Sequence, residues 1–389
     1  MIAVIGLGNA GLPLAAVIAD AGMHVVGIDI NRGRCEMINA GINPIAQEMG
    51  LSDLIAKHGG KTLVASSDYK DASSCDAFIV IVPLFVDKDH SPDFRILEEA
   101  FSSIGSILKK GDLVVLETTV PPGTTESLVL SILERSSGLK LGDFCLAYSP
   151  ERIMTGLSIC RLREFPKVIG GMDQESGVVA YRLYSKFIPN LTMVSSARVA
   201  EMIKVMEGCY RDVNIALANE LYRISKQLDV DFYEARNYAN HQYCHIHLPS
   251  TGVGGHCIPV YPWFLIKSME GIERFDDCRL LRTAREKNDS MADYWAERII
   301  LECLNIKKPL SDIKICITGI TYRKGVKEFY HSRNLELVKL LARKGLNVSA
   351  WDELLTKEET TAFGVNWLKP EDADLVFDCF DMSLRSNPM

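Results

Sequence analysis

The chain has 389 residues, of which 47% are hydrophobic and 24% charged, with a formal net charge of −7. This length has room for two or three domains with sizeable cores, in the composition range of ordinary soluble globular proteins. The negative balance argues against bulk nucleic-acid binding, and no like-charge block, low-complexity segment or internal repeat stands out.

From the amino terminus, apolar strands alternate with amphipathic helices. Met1 leads directly into the strand candidate Ile2–Gly6 with no basic stretch or cleavage site, which argues against a secretory signal. Further strands are expected at His24–Asp29, Ala77–Val82, Leu113–Thr118, Cys145–Ser149 and Thr192–Val194. Helices are expected between them, at Leu12–Ala21, Arg95–Leu108 and Thr124–Glu134. Continuous apolar strands alternating with helices predict a doubly wound parallel sheet, an α/β fold of the Rossmann type, over residues 1–196. The longest apolar run, Ala77 to Val86, contains Pro83 and falls well short of the roughly 20 residues of a membrane span, so no membrane association is expected. The 11 cysteines are odd in number and include no CxxC pair, as expected for reduced thiols in a cytoplasmic protein.

Gly6-Leu7-Gly8-Asn9-Ala10-Gly11 joins the first strand to the first helix. The first glycine permits a tight turn, the second lets a pyrophosphate approach the backbone, and the third allows helix–strand contact at the positive helix end. Asp29 closes the second strand, where it would accept from a ribose 2′-hydroxyl and repel a 2′-phosphate. NAD is therefore the expected cofactor, with Arg32 keeping NADP open. The expected cofactor residues are Gly6, Gly8, Asn9, Ala10, Gly11, Asp29 and Arg32, together with Pro83 and Thr119.

From Ala197 to Leu228 the period changes. Val199, Met202, Ile203, Met206, Tyr210, Val213, Leu217, Leu221, Ile224 and Leu228 recur at spacings of three and four, predicting one long helix with a broad apolar stripe. Such a helix either spans two domains or pairs with a second subunit. A helical region, a glycine-rich loop and a helix around Leu280–Cys303 complete a central helical domain over 197–308. From Ser311 a smaller α/β unit follows, with strands at Ile313–Gly319, Asn347–Asp352 and Asp374–Cys379 and a helix at Asn334–Lys344. It forms a third domain, 309–389, with its own nucleotide-sized crevice.

The glycine-rich loop reads Gly252-Val253-Gly254-Gly255-His256-Cys257-Ile258-Pro259-Val260. A cysteine in such a loop is ordinarily a small hydrophobe. Here the glycines would expose it, His256 adjoins it and a redox cofactor is already implied. A thiolate can add to an aldehyde, and the adduct can lose a second hydride to give a thioester open to water. Such chemistry also needs a donor for the developing oxyanion and a base for water.

Several motifs in order carry a resemblance: Gly6–Pro13, Glu117-Thr118-Thr119-Val120-Pro121-Pro122-Gly123-Thr124, Ser149-Pro150-Glu151-Arg152, Glu201–Glu220 and Gly252–Leu265. Gly319-Ile320-Thr321-Tyr322-Arg323 matches more loosely. The chain resembles the UDP-glucose/GDP-mannose dehydrogenase family, NAD-dependent nucleotide-sugar 6-dehydrogenases that oxidise a sugar C6 alcohol to a carboxylate with two NAD. The resemblance implies that Cys257 is the nucleophile, Lys204 steadies the oxyanion, Thr119 helps place water and Glu151 is the acid/base carboxylate. It further implies substrate contacts from Glu151, Arg152, Lys204, Gly252, Gly254, Gly255, Tyr322 and Arg323, UDP binding by the third domain, and a homodimer built on the long helix. The form His256-Cys257-Ile258-Pro259 is closest to the branch acting on UDP-N-acetylhexosamines, with UDP-N-acetylmannosamine or UDP-N-acetylglucosamine as substrate and a place in polysaccharide biosynthesis.

Four positions depart from the family pattern. Tyr261 stands where an aspartate is usual, Gly208 replaces an asparagine one helical turn after Lys204, Tyr330 replaces an arginine, and Arg323 replaces a lysine. These departures leave open a relative that binds NAD or a nucleotide-sugar with lost or partial turnover. UDP-glucose oxidation and a plain two-domain hydroxyacid dehydrogenase also stay open, although the latter needs neither Cys257 nor a third domain. His241, Cys244, His245 and His247 are of metal-ligating type, but their spacing matches no common tetrahedral zinc site, so no metal is expected.

Overall fold

The computed structural model describes residues 1–45, 47–153, 156–272 and 277–386. Two compact units are present, Met1–Met206 and Glu207–Met389.

The first unit runs β1 (Ile2–Ile5), α1 (Gly11–Asp20), β2 (Val25–Ile28), α2 (Arg32–Asn39), α3 (Leu51–His58), β3 (Leu63–Ser66) and β4 (Ala77–Val80). A two-stranded hairpin, β5 (Phe85–Val86) and β6 (Pro92–Asp93), leads into α4 (Arg95–Gly105) and β7 (Leu113–Leu116). A π-helical turn at Thr125–Val129 then opens α5 (Leu130–Ser137), followed by β8 (Cys145–Tyr148), α6 (Ser158–Glu164), β9 (Lys167–Gly171), α7 (Gln174–Tyr184) and β10 (Leu191–Val194). The eight-stranded sheet has the order β10-β9-β8-β7-β4-β1-β2-β3. Successive residues of a strand face opposite sides, and β1 shows it: Ile2 and Val4 pack with Leu12, Leu14 and Ile18 of α1, while Ala3 and Ile5 pack with Leu97, Phe101 and Ile104 of α4. Both faces are thus covered by helices, as the doubly wound expectation requires.

One feature of the sheet departs from that expectation. β9 pairs antiparallel with β8, and β10 runs parallel to β9, so the last two strands oppose the rest. β9 carries Lys167 and two glycines, which reads as loop. Lys167 is nonetheless buried there because its ammonium pairs with the buried Glu117 carboxylate at 2.9 Å. The predicted helix over Thr124–Glu134 is also modified, since its first part is the π-helical turn.

The boundary between the units falls within α8 (Ala197–Gln227). In the second unit come α9 (Phe232–Ala239), α10 (Tyr261–Met269), α11 (Arg279–Asp289) and α12 (Met291–Leu304). The single helix expected around Leu280–Cys303 is therefore two, broken at Ser290, whose hydroxyl donates to the Lys287 carbonyl at 2.9 Å. A five-stranded sheet follows, built from β11 (Ile315–Thr318), α13 (Arg333–Arg343), β12 (Val348–Trp351), α14 (Lys357–Ala362), β13 (Asn366–Trp367), β14 (Leu375–Asp378) and β15 (Ser383–Ser386). Its order is β13-β12-β11-β14-β15, parallel except for β15. Tyr222 of α8, Trp295 and Ile299 of α12, Ile315 and Ile317 of β11, Val338 of α13 and Phe377 of β14 share one core, so helices and sheet of this unit form a single body.

The expected stripe of α8 faces that core in part. Leu221 packs against it beside Ala218 and Tyr222, whereas Met206, Tyr210, Leu217 and Ile224 are exposed. No helix among the described residues is long and apolar enough to cross a membrane.

Candidate active-site residues and their surroundings

In the sheet of the first unit, strand order reverses between β1 and β4, and the loop after β1 opens at that crevice. Gly6 has φ +93°, and a Cβ there would lie 2.8 Å from the Ile81 carbonyl oxygen. A Cβ on Gly11 would lie 1.8 Å from the Gly6 carbonyl oxygen, while one on Gly8 would meet nothing within 4 Å. The turn and the helix–strand contact therefore require two of the glycines, and the third leaves open space where a pyrophosphate can approach. Ala10, the N-cap of α1, offers no side-chain hydrogen bond, so the first-turn N–H groups keep their positive end for an anion. Asn9 is exposed beside it, as is Pro83 beyond β4.

Asp29 is buried, and its carboxylate accepts from Leu7 N–H at 2.9 Å and Asn31 N–H at 2.9 Å. Its ion-pair partner is Arg34, at 3.0 Å, while Arg32, the residue that keeps NADP open, is exposed at the first position of α2. These residues fit NAD: an open glycine, an uncapped helix end, and a carboxylate with lone pairs left for a ribose hydroxyl.

Two of the other candidate residues meet in the same unit. Lys204, on α8, is buried and reaches the Glu151 carboxylate at 3.3 Å and donates to the Glu151 backbone carbonyl at 2.7 Å. The second Glu151 oxygen accepts from Ile153 N–H at 2.8 Å. Thr119 is buried three residues beyond the end of β7, and Tyr148 lies fully buried at the end of β8. Burial first, then Glu201, Glu151 and Glu117, hold the Tyr148 phenol well above its ordinary range, so it stays neutral. Arg152 is directed elsewhere, donating to the Pro166 carbonyl at 2.5 Å.

Two further carboxylates support this region. Glu201 accepts from Thr125 N–H at 2.8 Å, the Thr125 hydroxyl at 2.6 Å and Gly123 N–H at 2.5 Å, tying α8 to the Pro-rich turn after Thr119. Burial raises its carboxyl pKa, and the hydrogen bonds from Thr125 and Gly123 oppose that rise. Glu117 is held by Lys167 and by the Tyr184 hydroxyl at 2.5 Å. Glu201 and Glu117 were not singled out as site residues. A carboxylate inside an otherwise apolar stretch was the available signal.

In the second unit, the sulfur-bearing loop is open to solvent at His256 and Cys257. The glycines of the loop do more than expose the thiol. Gly255 has φ +93° and faces the Tyr322 ring, with a Cβ–Cε2 distance of 3.0 Å, and a Cβ on Gly254 would sit 2.7 Å from the His331 carbonyl oxygen. The loop is thereby pressed against the segment after β11. Gly255 N–H donates to the Tyr330 carbonyl at 2.9 Å, His256 stacks on the Tyr330 ring at 4.0 Å and 8°, and the His256 ring pairs with the Glu328 carboxylate. Gly252 packs against Arg333 in the same way. Burial raises the Tyr322 phenol pKa, with Arg323 opposing and Glu328 and Cys257 adding to the rise. The Arg323 guanidinium carbon lies 5.9 Å from the Tyr322 ring centre. Sequence reasoning treated Tyr330 only as a departure and did not identify Glu328, because their link to the loop comes from tertiary packing.

The histidine-rich stretch is organised by other contacts. His241 and Cys244 exchange backbone hydrogen bonds at 2.9 and 3.0 Å, and His245 and His247 face edge to face at 5.2 Å. Among the described residues, no group of three or more metal-ligating side chains forms a site.

Comparison with known proteins places these observations. The NAD-binding domain profile of the UDP-glucose/GDP-mannose dehydrogenase family matches residues 1–188, and the central-domain profile of that family matches residues 198–290. The chain is 36% identical over 357 residues to UDP-N-acetyl-D-mannosamine dehydrogenase of Campylobacter jejuni, covering 88% of this chain and 83% of that protein. It is 36% identical over 354 residues to NDP-N-acetyl-D-galactosaminuronic acid dehydrogenase of Ralstonia solanacearum, covering 89% and 81%. Among solved structures, UDP-D-ManNAc dehydrogenase of Pyrococcus horikoshii superposes with a TM-score of 0.87 at 33% identity, covering 98% of this chain and 89% of that one.

Proposed function

Since the chain belongs to the UDP-glucose/GDP-mannose dehydrogenase family and is an NAD-dependent nucleotide-sugar dehydrogenase, we propose that its substrate is UDP-N-acetylmannosamine. UDP-N-acetylglucosamine and UDP-glucose are the competing donors. The product is the uronic acid, formed with two NAD per sugar. The observation that carries the mechanism is the solvent-open position of Cys257 in a loop otherwise packed tightly by its glycines.

The cofactor supplies the hydride acceptor. In the first oxidation the C6 hydroxyl loses its proton to a base and its carbon loses hydride, leaving an aldehyde. The Cys257 thiolate adds to that carbonyl carbon to give a thiohemiacetal, whose loss of a second hydride gives the thioester. Water then adds, the carbon–sulfur bond breaks, and Cys257 regains its thiolate. In this reading Lys204 steadies the oxyanion, Thr119 helps place the water and Glu151 moves the proton. Lys204 supports such a role, as its ammonium is held beside Glu151 and shielded from bulk water.

Residues 309–389 take the UDP group in this proposal, with Tyr322 and Arg323 as contacts. Residues 1–196 bind NAD, and 197–308 carry the loop of Cys257 and the dimer helix. Tyr322 is supported as a site residue by its packing on Gly254 and Gly255. We place the enzyme in the cytoplasm, consistent with its exposed thiol.

The test offers purified protein NAD with a panel of UDP-sugars and counts both NADH and acid. Two NADH per acid, highest with UDP-N-acetylmannosamine, is the expected result, and Cys257→Ala should abolish acid formation. Acid production at the parent rate by the alanine variant would end the sulfur mechanism. One NADH without acid would indicate arrest at the aldehyde, and tight NAD binding without turnover would identify a binding relative.

A further inference from the structure

Gly208 lies in the interior of α8, where glycine weakens a helix relative to alanine. Packing accounts for its presence. A Cβ built at Gly208 would lie 2.4 Å from Cδ2 of Tyr261, 3.0 Å from its Cβ and 3.1 Å from its Cγ. The aromatic ring rests on the bare helix backbone and leaves no room for a methyl group. Because the Tyr261 Cβ is also in contact, rotation about the side chain alone does not relieve the clash.

Tyr261 is 7% exposed and its ring stacks with that of Phe264, with centres 5.8 Å apart. It is also the first residue of α10, and its backbone N–H donates to the Cys257 carbonyl at 3.0 Å. Val260 N–H donates to the same oxygen at 3.1 Å. The residue whose ring is seated on α8 therefore also holds the backbone of the exposed cysteine.

We propose that Gly208 and Tyr261 form a steric socket that positions the Cys257 loop, with the ring of Tyr261 seated on the bare backbone at 208 as the part that fills it. Tyr261 is thus a positioning residue, and glycine at 208 is the condition for it. A side chain at 208 and the ring at 261 exclude each other, so the two positions act as one unit. This proposal deepens the dehydrogenase reading and depends on it only for the kinetic part of its test.

The test compares Gly208→Ala, Tyr261→Phe, Tyr261→Ala and the double alanine variant in the full chain. Three properties are measured: Tm, the rate of iodoacetamide labelling of the peptide containing Cys257, and kcat and KM with NAD and UDP-N-acetylmannosamine. Gly208→Ala is expected to lower Tm, opposite to the usual effect of alanine in a helix interior. It should also change the Cys257 labelling rate severalfold and lower kcat by about 10²-fold with little change in KM for NAD. Tyr261→Phe should follow the parent in all three. In the Tyr261→Ala background, adding Gly208→Ala should raise Tm, because the clash has gone. The socket is overturned if Gly208→Ala stabilises the parent and leaves labelling unchanged, or if Tyr261→Phe is as damaging as Tyr261→Ala. Should the parent oxidise no UDP-sugar, the dehydrogenase reading fails while Tm and labelling still decide the socket.

Discussion

In the proposed site, Asp29 serves structure and cofactor with one carboxylate. It fixes the fingerprint loop through Leu7 N–H, orders the start of α2 through Asn31 N–H and pairs with Arg34. Asp29→Asn keeps the shape but removes the charge from these contacts and from a ribose hydroxyl. Hydrogen bonds to charged groups contribute about 1.5–3 kcal/mol, so KM for NAD should rise by about tenfold or more, with kcat less affected. Steady-state kinetics in NAD and NADP would check this. Arg34→Ala should sharpen the preference for NAD, because the carboxylate would then repel a 2′-phosphate without a neutralising partner. A rise in NADP use by that variant would contradict the assignment.

At the scale of elements, the second unit carries a pH dependence in the loop between α9 and α10. The His247 ring is held below its ordinary pKa of 6.5, chiefly by burial and then by His245, Arg211 and Arg236, and its Nε2 is buried without a hydrogen-bond partner. A depressed folded pKa means that the unfolded chain takes up the proton more readily. This stability is fully present above pH 6.5 and is lost as pH falls through 6.5 toward the lower folded value. Thermal melts across that range should show a fall in Tm on acidification that His247→Gln makes shallower. An unchanged slope in the variant would exclude His247 as a source. The elements also show what could be read in advance. β1, β4 and β7 were legible as uninterrupted apolar runs buried on both faces. β3 and β9 were not, because β3 is a short edge strand with an exposed Val64, and β9 places a lysine in the sheet on the strength of a distant glutamate. The break at Ser290 was hidden because the apolar period continues through it.

For the whole molecule, the long helix bears on assembly. Tyr210, Leu217 and Ile224 recur every seven residues and are 54%, 47% and 47% exposed, with Met206 at 54%. A continuous apolar stripe of this kind marks an interaction face, and it supports the homodimer proposed through α8. Sedimentation equilibrium should give a dimer, and Leu217→Glu with Ile224→Glu should shift it to monomer; a monomeric parent would remove the proposal. Much of the candidate site could be proposed in advance because the chemistry it would carry sits in short motifs: the glycine fingerprint, Glu151 and the cysteine loop. The couplings could not, since His256 with Glu328, Lys204 with Glu151 and Gly208 with Tyr261 join residues 53 or more positions apart in the chain. Exposure of Cys257 has one further consequence. In the proposed mechanism that sulfur must be open to a sugar carbon, and a sulfur so exposed can also be reached by peroxide, which converts a thiolate first to a reversible sulfenic acid and then to dead-end higher oxides. Brief oxidative stress should therefore pause acid formation until a reductant restores it, and prolonged stress should silence the enzyme for good.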